Sequence, residues 1–137
     1  MPGPIKVKGT LLVSAICDQA TLTGLLLTGF GERNLKNQTN FLIVDKEVTD
    51  AQIEEKLRQL LSRDDIGIVL ISQNVAERVR GHIEEHDAVI PTILEIPSKD
   101  FPYEPEKDTI VVRAASILWG QDTGMDKLKQ MQASSKV

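Results

Sequence analysis

The two histidines of the chain lie in the segment His82-Ile83-Glu84-Glu85-His86, which has the H-x-x-E-H spacing of inverted zinc proteases. In that chemistry, two histidines one helical turn apart hold the metal and the glutamate acts as the base. A catalytic zinc also needs a third protein ligand and an open position for water. Both histidines fall at the margin of an apolar stripe formed by Val75, Val79 and Ile83, where ordinary boundary residues are also found. We therefore predict no metal site.

Nucleotide hydrolysis would need a glycine-rich loop at a strand-to-helix turn, and the chain has no P-loop ending in lysine. Gly24, Gly29 and Gly31 fall within and after a predicted helix, where they serve helix packing and helix termination. Acyl transfer would need a serine in a G-x-S-x-G turn, which the sequence also lacks. We predict neither a catalytic residue nor a cofactor for this chain.

Phosphoryl transfer in the manner of a response regulator would need an acidic cluster after the first strand and an acceptor aspartate after the third. Asp18 is suitably placed for the first requirement. The predicted third strand, however, is followed by Ser72, Gln73 and Asn74, which offer no carboxylate. A receiver-like signalling or binding module without a phosphorylation site therefore remains as an alternative function.

The composition is that of a soluble globular domain, with 41% hydrophobic and 26% charged residues in 137. A net charge of -4 argues against the clustered basic surface that binds nucleic acid. The start Met1-Pro2-Gly3-Pro4 lacks the features of a secretory signal, and the single cysteine, Cys17, is predicted to be a buried structural residue. Because the apolar runs are far shorter than the roughly 20 residues that span a bilayer, we expect a cytoplasmic protein without direct membrane insertion.

Four short apolar runs have the pattern of strands buried in a sheet. The third run is uncharged and rich in β-branched residues, so it should lie centrally, with Ile68 buried. Pro91 lacks a backbone donor and confines the fourth run to a strand start or a sheet edge. The predicted strands are Thr10–Ile16, Phe41–Val44, Ile66–Ile71 and Ala88–Ile96.

The connections between these runs have helical spacing and capping residues, apart from a polar loop over Asn34–Asn40. Asp18 can cap a first helix and Asn74 a third. Thr49 and Gln52 have capping-box spacing at the start of the second. Strands that alternate with helices predict an α/β fold. We expect a Rossmann-like or flavodoxin-like four-stranded parallel sheet in the order 2-1-3-4, with helices on both faces, plus a C-terminal helix.

The chain changes character after the fourth predicted strand. Pro97, Pro102 and Pro105 stiffen this stretch and prevent a helix before the last of them. We expect an α/β domain over residues 1–96, a proline-rich connector over 97–107 and a partner-binding helix over 108–119. Residues 120–137 mix Gly, Gln, Ser and Lys with few apolar anchors, and we expect them to form a mobile tail.

The helix over residues 108–119 is marginal alone in water, because few propagating hydrogen bonds repay its nucleation. It also has apolar residues on two sides, so two partners, or one wrapped groove, would cover it better than a single flat surface. We predict that it becomes ordered on a partner. One sector about 120° wide holds Ile110, Val111, Ala114, Ile117 and Leu118, and the nearly opposite side holds Val112 and Trp119.

Several stretches of the sequence are long and uncommon enough to identify a family. From about Leu11 to Trp119 the sequence resembles the family of vacuolar ATPase F subunits. Trp119 stands where that family leads us to expect Phe, and residues 120–137 and the histidine pair have no counterpart in the family pattern. The stretches are Asn40–Val44, Arg63–Gln73, Ala76–Arg80, Ile90–Asp100, Pro102-Tyr103 and Lys107-Asp108.

The resemblance implies a Rossmann-like domain followed by a C-terminal helix that packs on the coiled coil of the D subunit. In this family ATP is hydrolysed by other subunits, and the F subunit is a non-catalytic part of the central rotor that helps couple hydrolysis to proton transport. The resemblance also implies the D subunit and other peripheral-sector subunits as partners. The complex would lie at the cytosolic face of vacuolar and other endomembranes.

Overall fold

The computed structural model describes residues 11–30 and 39–135, and the chain divides into two compact units, Met1–Pro102 and Tyr103–Val137. The predicted strand start at Thr10 and the helix-terminating Gly31 lie outside the described residues. Residues 34–38 of the predicted polar loop and residues 1–9 at the start of the chain also lie outside the described residues.

The first unit is built on four strands, β1 Leu12–Cys17, β2 Phe41–Ile43, β3 Ile66–Ser72 and β4 Thr92–Ile96. They form one parallel sheet in the order β2-β1-β3-β4, which confirms the predicted fold class. β4 is shorter than the predicted strand over Ala88–Ile96. It begins directly after Pro91, because a residue without a backbone N–H cannot donate to the ladder.

The helices of this unit are α1 Gln19–Leu26, α2 Asp50–Ser62, α3 Gln73–Arg78 and α4 Arg80–Glu85. The predicted caps of the first two are confirmed, including reciprocal bonds between Thr49 and Gln52. The predicted third helix differs, since it begins at Gln73 and not after Asn74. It also breaks at Val79, whose backbone has φ -125° and ψ 27° and so leaves the helical region.

The two faces of the sheet are covered unequally. One face packs against α2, α3 and α4 in the main core, to which Ile16, Val69 and Ile71 contribute from the sheet. The other face packs against α1 in a smaller cluster that contains Ala15 and Cys17. Since alternate residues of a strand point to opposite faces, Ile68 lies on the thinly covered side. It is only partly buried, so the prediction of a buried Ile68 was wrong.

The second unit contains a 3-10 turn at Pro105–Lys107 and two helices, α5 Thr109–Trp119 and α6 Gln121–Ser135. Helix α5 is the helix expected over residues 108–119. Helix α6, which was not predicted, spans most of the predicted tail over residues 120–137 and contacts α5. Gly120 joins the two helices with φ +85°, a conformation that glycine adopts without steric cost.

A buried ion pair ties α4 to the edge strand β4. Both carboxylate oxygens of Glu95 accept hydrogen bonds from Arg80, at 2.8 and 2.9 Å. The Glu95 side chain is 2% exposed and the Arg80 side chain 21%. Burial by itself lowers the pKa of the Arg80 guanidinium, but the bonds and charge of Glu95 outweigh burial and raise that pKa. A bidentate pair of this kind fixes the position of α4 over the sheet edge.

We expect Arg80→Met to lower the free energy of unfolding by about 3 kcal/mol, because it leaves the Glu95 carboxylate buried without its counter-charge. The measurement is urea denaturation followed by far-UV circular dichroism. Arg58→Met is the matched control, since Arg58 forms an exposed pair with Glu55 and its loss should cost less than about 1 kcal/mol. Equal losses in the two variants would contradict the structural role of the Arg80–Glu95 pair.

Candidate functional site

The first candidate site lies beyond the carboxyl ends of the strands, where open parallel sheets bind ligands at the point of reversed strand order. In this sheet that point falls between β1 and β3. An open cleft of about 680 Å³ is found there. Asp18 lines it after β1, Asn74 lines it after β3, and Lys99 and Asp100 line it after β4.

The carboxylate of Asp18 is already engaged in capping α1. It accepts hydrogen bonds from the Thr21 backbone N–H at 3.0 Å and from the Thr21 hydroxyl at 2.6 Å. Burial tends to raise the pKa of Asp18, but these hydrogen bonds outweigh burial and lower it. Asp18 therefore acts as an ionised helix cap, as the sequence predicted.

The segment after β3 also lacks the chemistry of a phosphate acceptor. Ser72 is the last residue of the strand, and Gln73 and Asn74 open α3. The Ser72 hydroxyl oxygen is buried and has no hydrogen-bond partner within the described residues. The Asn74 side-chain oxygen accepts a long bond of 3.5 Å from the Ser98 hydroxyl. None of these three side chains has a carboxylate that could accept a phosphoryl group.

Cys17 and the two histidines occupy ordinary structural positions. Cys17 is fully buried, and burial, followed by the nearby charge of Asp18, raises the pKa of its thiol to about 11, so it stays protonated at neutral pH. Nε2 of His86 lies 2.6 Å from the Pro91 carbonyl oxygen, to which it donates, and Nδ1 of His82 lies 3.7 Å from a Glu54 oxygen. Within residues 11–30 and 39–135, no three His, Cys, Asp or Glu side chains are grouped to hold a metal ion.

The second candidate site is α5, and Asp108 is its N-terminal cap. Its carboxylate accepts a hydrogen bond from the Ile110 backbone N–H at 3.1 Å and another from the Tyr103 hydroxyl. An aspartate at this position satisfies one of the unpaired N–H groups of the first turn. Asp108 itself is buried. Its bonds to Tyr103 and Ile110 therefore fix the start of α5 against the preceding segment of the second unit.

The residues predicted to contact a partner divide between two sides of α5. Ile117 is 84% and Leu118 70% exposed, and Ile110 and Ala114 are also exposed. We call these four residues the open face of α5. Val111 and Val112 are partly buried, and Trp119 is 39% exposed.

The side of α5 opposite Ile117 is covered by α6. Ala115, which is not among the predicted contact residues, is buried there, with backbone atoms close to Gly124. Met125, Leu128 and Met131 recur every three residues, and this spacing could have identified α6 from sequence. It was missed because Gly, Gln, Ser and Lys make up most of the surrounding segment. No helix of the described residues has the length and apolar character that crossing a membrane requires.

Comparison with protein families matches residues 13–113 to the family described as ATP synthase (F/14-kDa) subunit. The F subunit of the human V-type proton ATPase is 48% identical over 111 residues, which cover 81% of this chain and 93% of the human protein. The corresponding protein of Dictyostelium discoideum is 46% identical over 104 residues, which cover 76% of this chain and 87% of that protein.

In Drosophila melanogaster, the V-type proton ATPase F subunit numbered 1 is 44% identical over 116 residues, covering 85% of this chain and 93% of that protein. Among solved structures, the F subunit of the Archaeoglobus fulgidus V-type ATP synthase overlaps with a TM-score of 0.47 and 22% sequence identity. The overlap covers 64% of this chain and 99% of that one.

The lowered pKa of Asp18 predicts a pH dependence of stability. Its ionised cap contributes stability that is fully present above the unfolded-state pKa of about 3.9 and is lost as pH falls through the lower folded-state pKa. Asp18→Asn keeps a capping oxygen but removes the charge, so the parent should be more stable at pH 6 and the two should converge towards pH 2. The measurement is thermal unfolding of both proteins at a series of pH values.

The control repeats the Asp18→Asn comparison in a Thr21→Val background. Because Thr21→Val removes the hydroxyl that donates to Asp18, the stability difference caused by Asp18→Asn should be smaller in that background. A difference that persists unchanged at pH 2 would show that the charge of Asp18 is not its cause.

Proposed function

This chain belongs to the family described as ATP synthase (F/14-kDa) subunit, and we propose that it is the central-stalk F subunit of a V-type proton ATPase, paired with the D subunit. Family membership makes it a component of a V-type ATPase. The finer assignment to the stalk and to the D subunit is our proposal. The single observation that carries it is the open face of α5, which presents large apolar side chains to solvent.

The open face suits a helical partner. Ile110, Ile117 and Leu118 project from one side of α5 and are flanked by the small Ala114, so that side chains of a second helix can pack between them. Exposed apolar side chains grouped in this way mark interaction sites on soluble domains. The coiled coil of the D subunit, the partner that the family resemblance implies, would offer a helical surface of the kind that packs on an apolar helix face.

We propose that this chain does no chemistry of its own and that other subunits hydrolyse ATP. The environments of three side chains of reactive types support this view. Asp18 is engaged in capping, the Cys17 thiol is protonated and Nε2 of His86 donates to a backbone carbonyl. The protein would instead transmit torque and help couple hydrolysis to proton transport.

We infer the location from the same proposal. The protein would reach the cytosolic face of vacuolar or other endomembranes through the D subunit and other peripheral-sector subunits, without inserting into the bilayer itself. A net charge of -4 also makes nucleic acid a poor partner.

The open face predicts which variants lose the D subunit. We expect Ile117→Asp and Leu118→Asp each to weaken binding at least tenfold, because a charge in a desolvated helix contact must be buried without a partner. The measurement is biolayer interferometry with the D subunit immobilised.

Leu27→Asp is the matched control, since Leu27 is 86% exposed in the first unit and the change in charge is the same. If both α5 variants bind the D subunit with parent-like affinity, the assignment of the interface is wrong. If Leu27→Asp also loses binding to the D subunit, the contact is not confined to the open face of α5.

A further inference from the structure

Helix α6 lies beyond the part of the chain that the family model matches, which ends at residue 113. It follows α5 after the single residue Gly120, so the two helices form a hairpin. Nothing in the proposed function assigns α6 a task, although it supplies two buried residues of the second unit, Gly124 and Leu128.

The two helix backbones come close together at Gly124. A Cβ atom placed on Gly124 would lie 2.9 Å from both the carbonyl carbon and the carbonyl oxygen of Ala115, and 3.1 Å from the backbone nitrogen of Ser116. Real Cβ atoms do not approach backbone atoms this closely. The two helix backbones therefore meet at a distance that only glycine at position 124 allows.

This contact lies on the side of α5 that a partner would not use. Ala115 and Ile117 are two positions apart, which at about 100° per residue places them on nearly opposite sides of the helix. Helix α6 thus covers the Ala115 side, and Ile117 and Leu118 of the open face stay 84% and 70% exposed beside it. It can remain in place when a partner binds.

Helix α5 has 11 residues, a length at which an isolated helix is marginal in water. A second helix packed along one side supplies the tertiary contacts that short helices need. Ordering a segment at the moment of binding costs affinity, and a preformed segment avoids that cost.

We propose that α6 is a positioning helix, which keeps α5 folded before any partner binds and presents the open face as one preformed docking surface. This inference deepens the proposed function and rests on it for the identity of the partner, but the ordering of α5 is a property of the free chain. On the second side of α5, α6 buries Ala115 while Trp119 is still 39% exposed, so the expectation of two partners or one wrapped groove stays a prediction.

The test is Gly124→Ala in the full chain, with Gly81→Ala as its matched control. Alanine favours helix over glycine at both positions, but at Gly81, in α4, an added Cβ meets no atom within 4 Å. Hydrogen exchange of the α5 backbone amides, read by mass spectrometry on the free chain, should accelerate at least tenfold in Gly124→Ala. It should not accelerate in Gly81→Ala, and amides of β3 should keep the parent rate in both.

Leu128→Ala is a second variant that keeps Gly124 and removes a buried side chain of α6, and it should also accelerate exchange in α5. Parent-like exchange in α5 of both hairpin variants would overturn the inference. The exchange measurement uses the free chain, so its result holds even if the parent chain fails to bind the D subunit. Such a failure would contradict the proposed function and not this inference. Where the parent binds, Gly124→Ala should weaken the affinity for the D subunit about tenfold, and unchanged affinity alongside fast exchange would contradict the preformed docking surface.

Discussion

The first unit depends on the burial of one uncharged strand, β3, which is hydrogen-bonded to β1 on one side and to β4 on the other. Ile66, Val69 and Ile71 of this strand are fully buried, which requires cover from helices on the side that Val69 and Ile71 face. Helices α2, α3 and α4 provide that cover. The bidentate pair of Arg80 with Glu95 then ties α4 to the edge strand β4.

Among the described residues of the first unit, the Cys17 thiol is buried and Nε2 of His86 donates to the Pro91 carbonyl. The ligand edge of the sheet retains an open cleft, but Asp18 on its wall is a helix cap. We propose that this unit acts as a scaffold and that binding falls to the open face of α5 in the second unit. Transmission of torque needs stiff elements and specific contacts, and neither needs a catalytic centre.

Sequence reasoning succeeded where the determining physics is local. The strands and helices followed from short apolar runs and helical spacing, and the caps at Asp18 and Thr49 followed from side chains bonding to nearby backbone. It failed where tertiary contacts decide. The burial of Ile68 depends on how much of one sheet face α1 covers, and α6 depends on a backbone approach at Gly124 that composition hides. The open face was predicted only as part of a larger apolar set, because the sequence could not show which side α6 would cover.

The central claim is that the open face of α5 contacts the D subunit in the assembled complex. Photo-crosslinking tests it most directly, with p-benzoylphenylalanine placed at Ile117 in one protein and at Leu27 in another, both side chains being highly exposed. After purification of the complex and irradiation, the account predicts a covalent product with the D subunit from position 117 and none from position 27. A product with the D subunit from position 27 alone would contradict it.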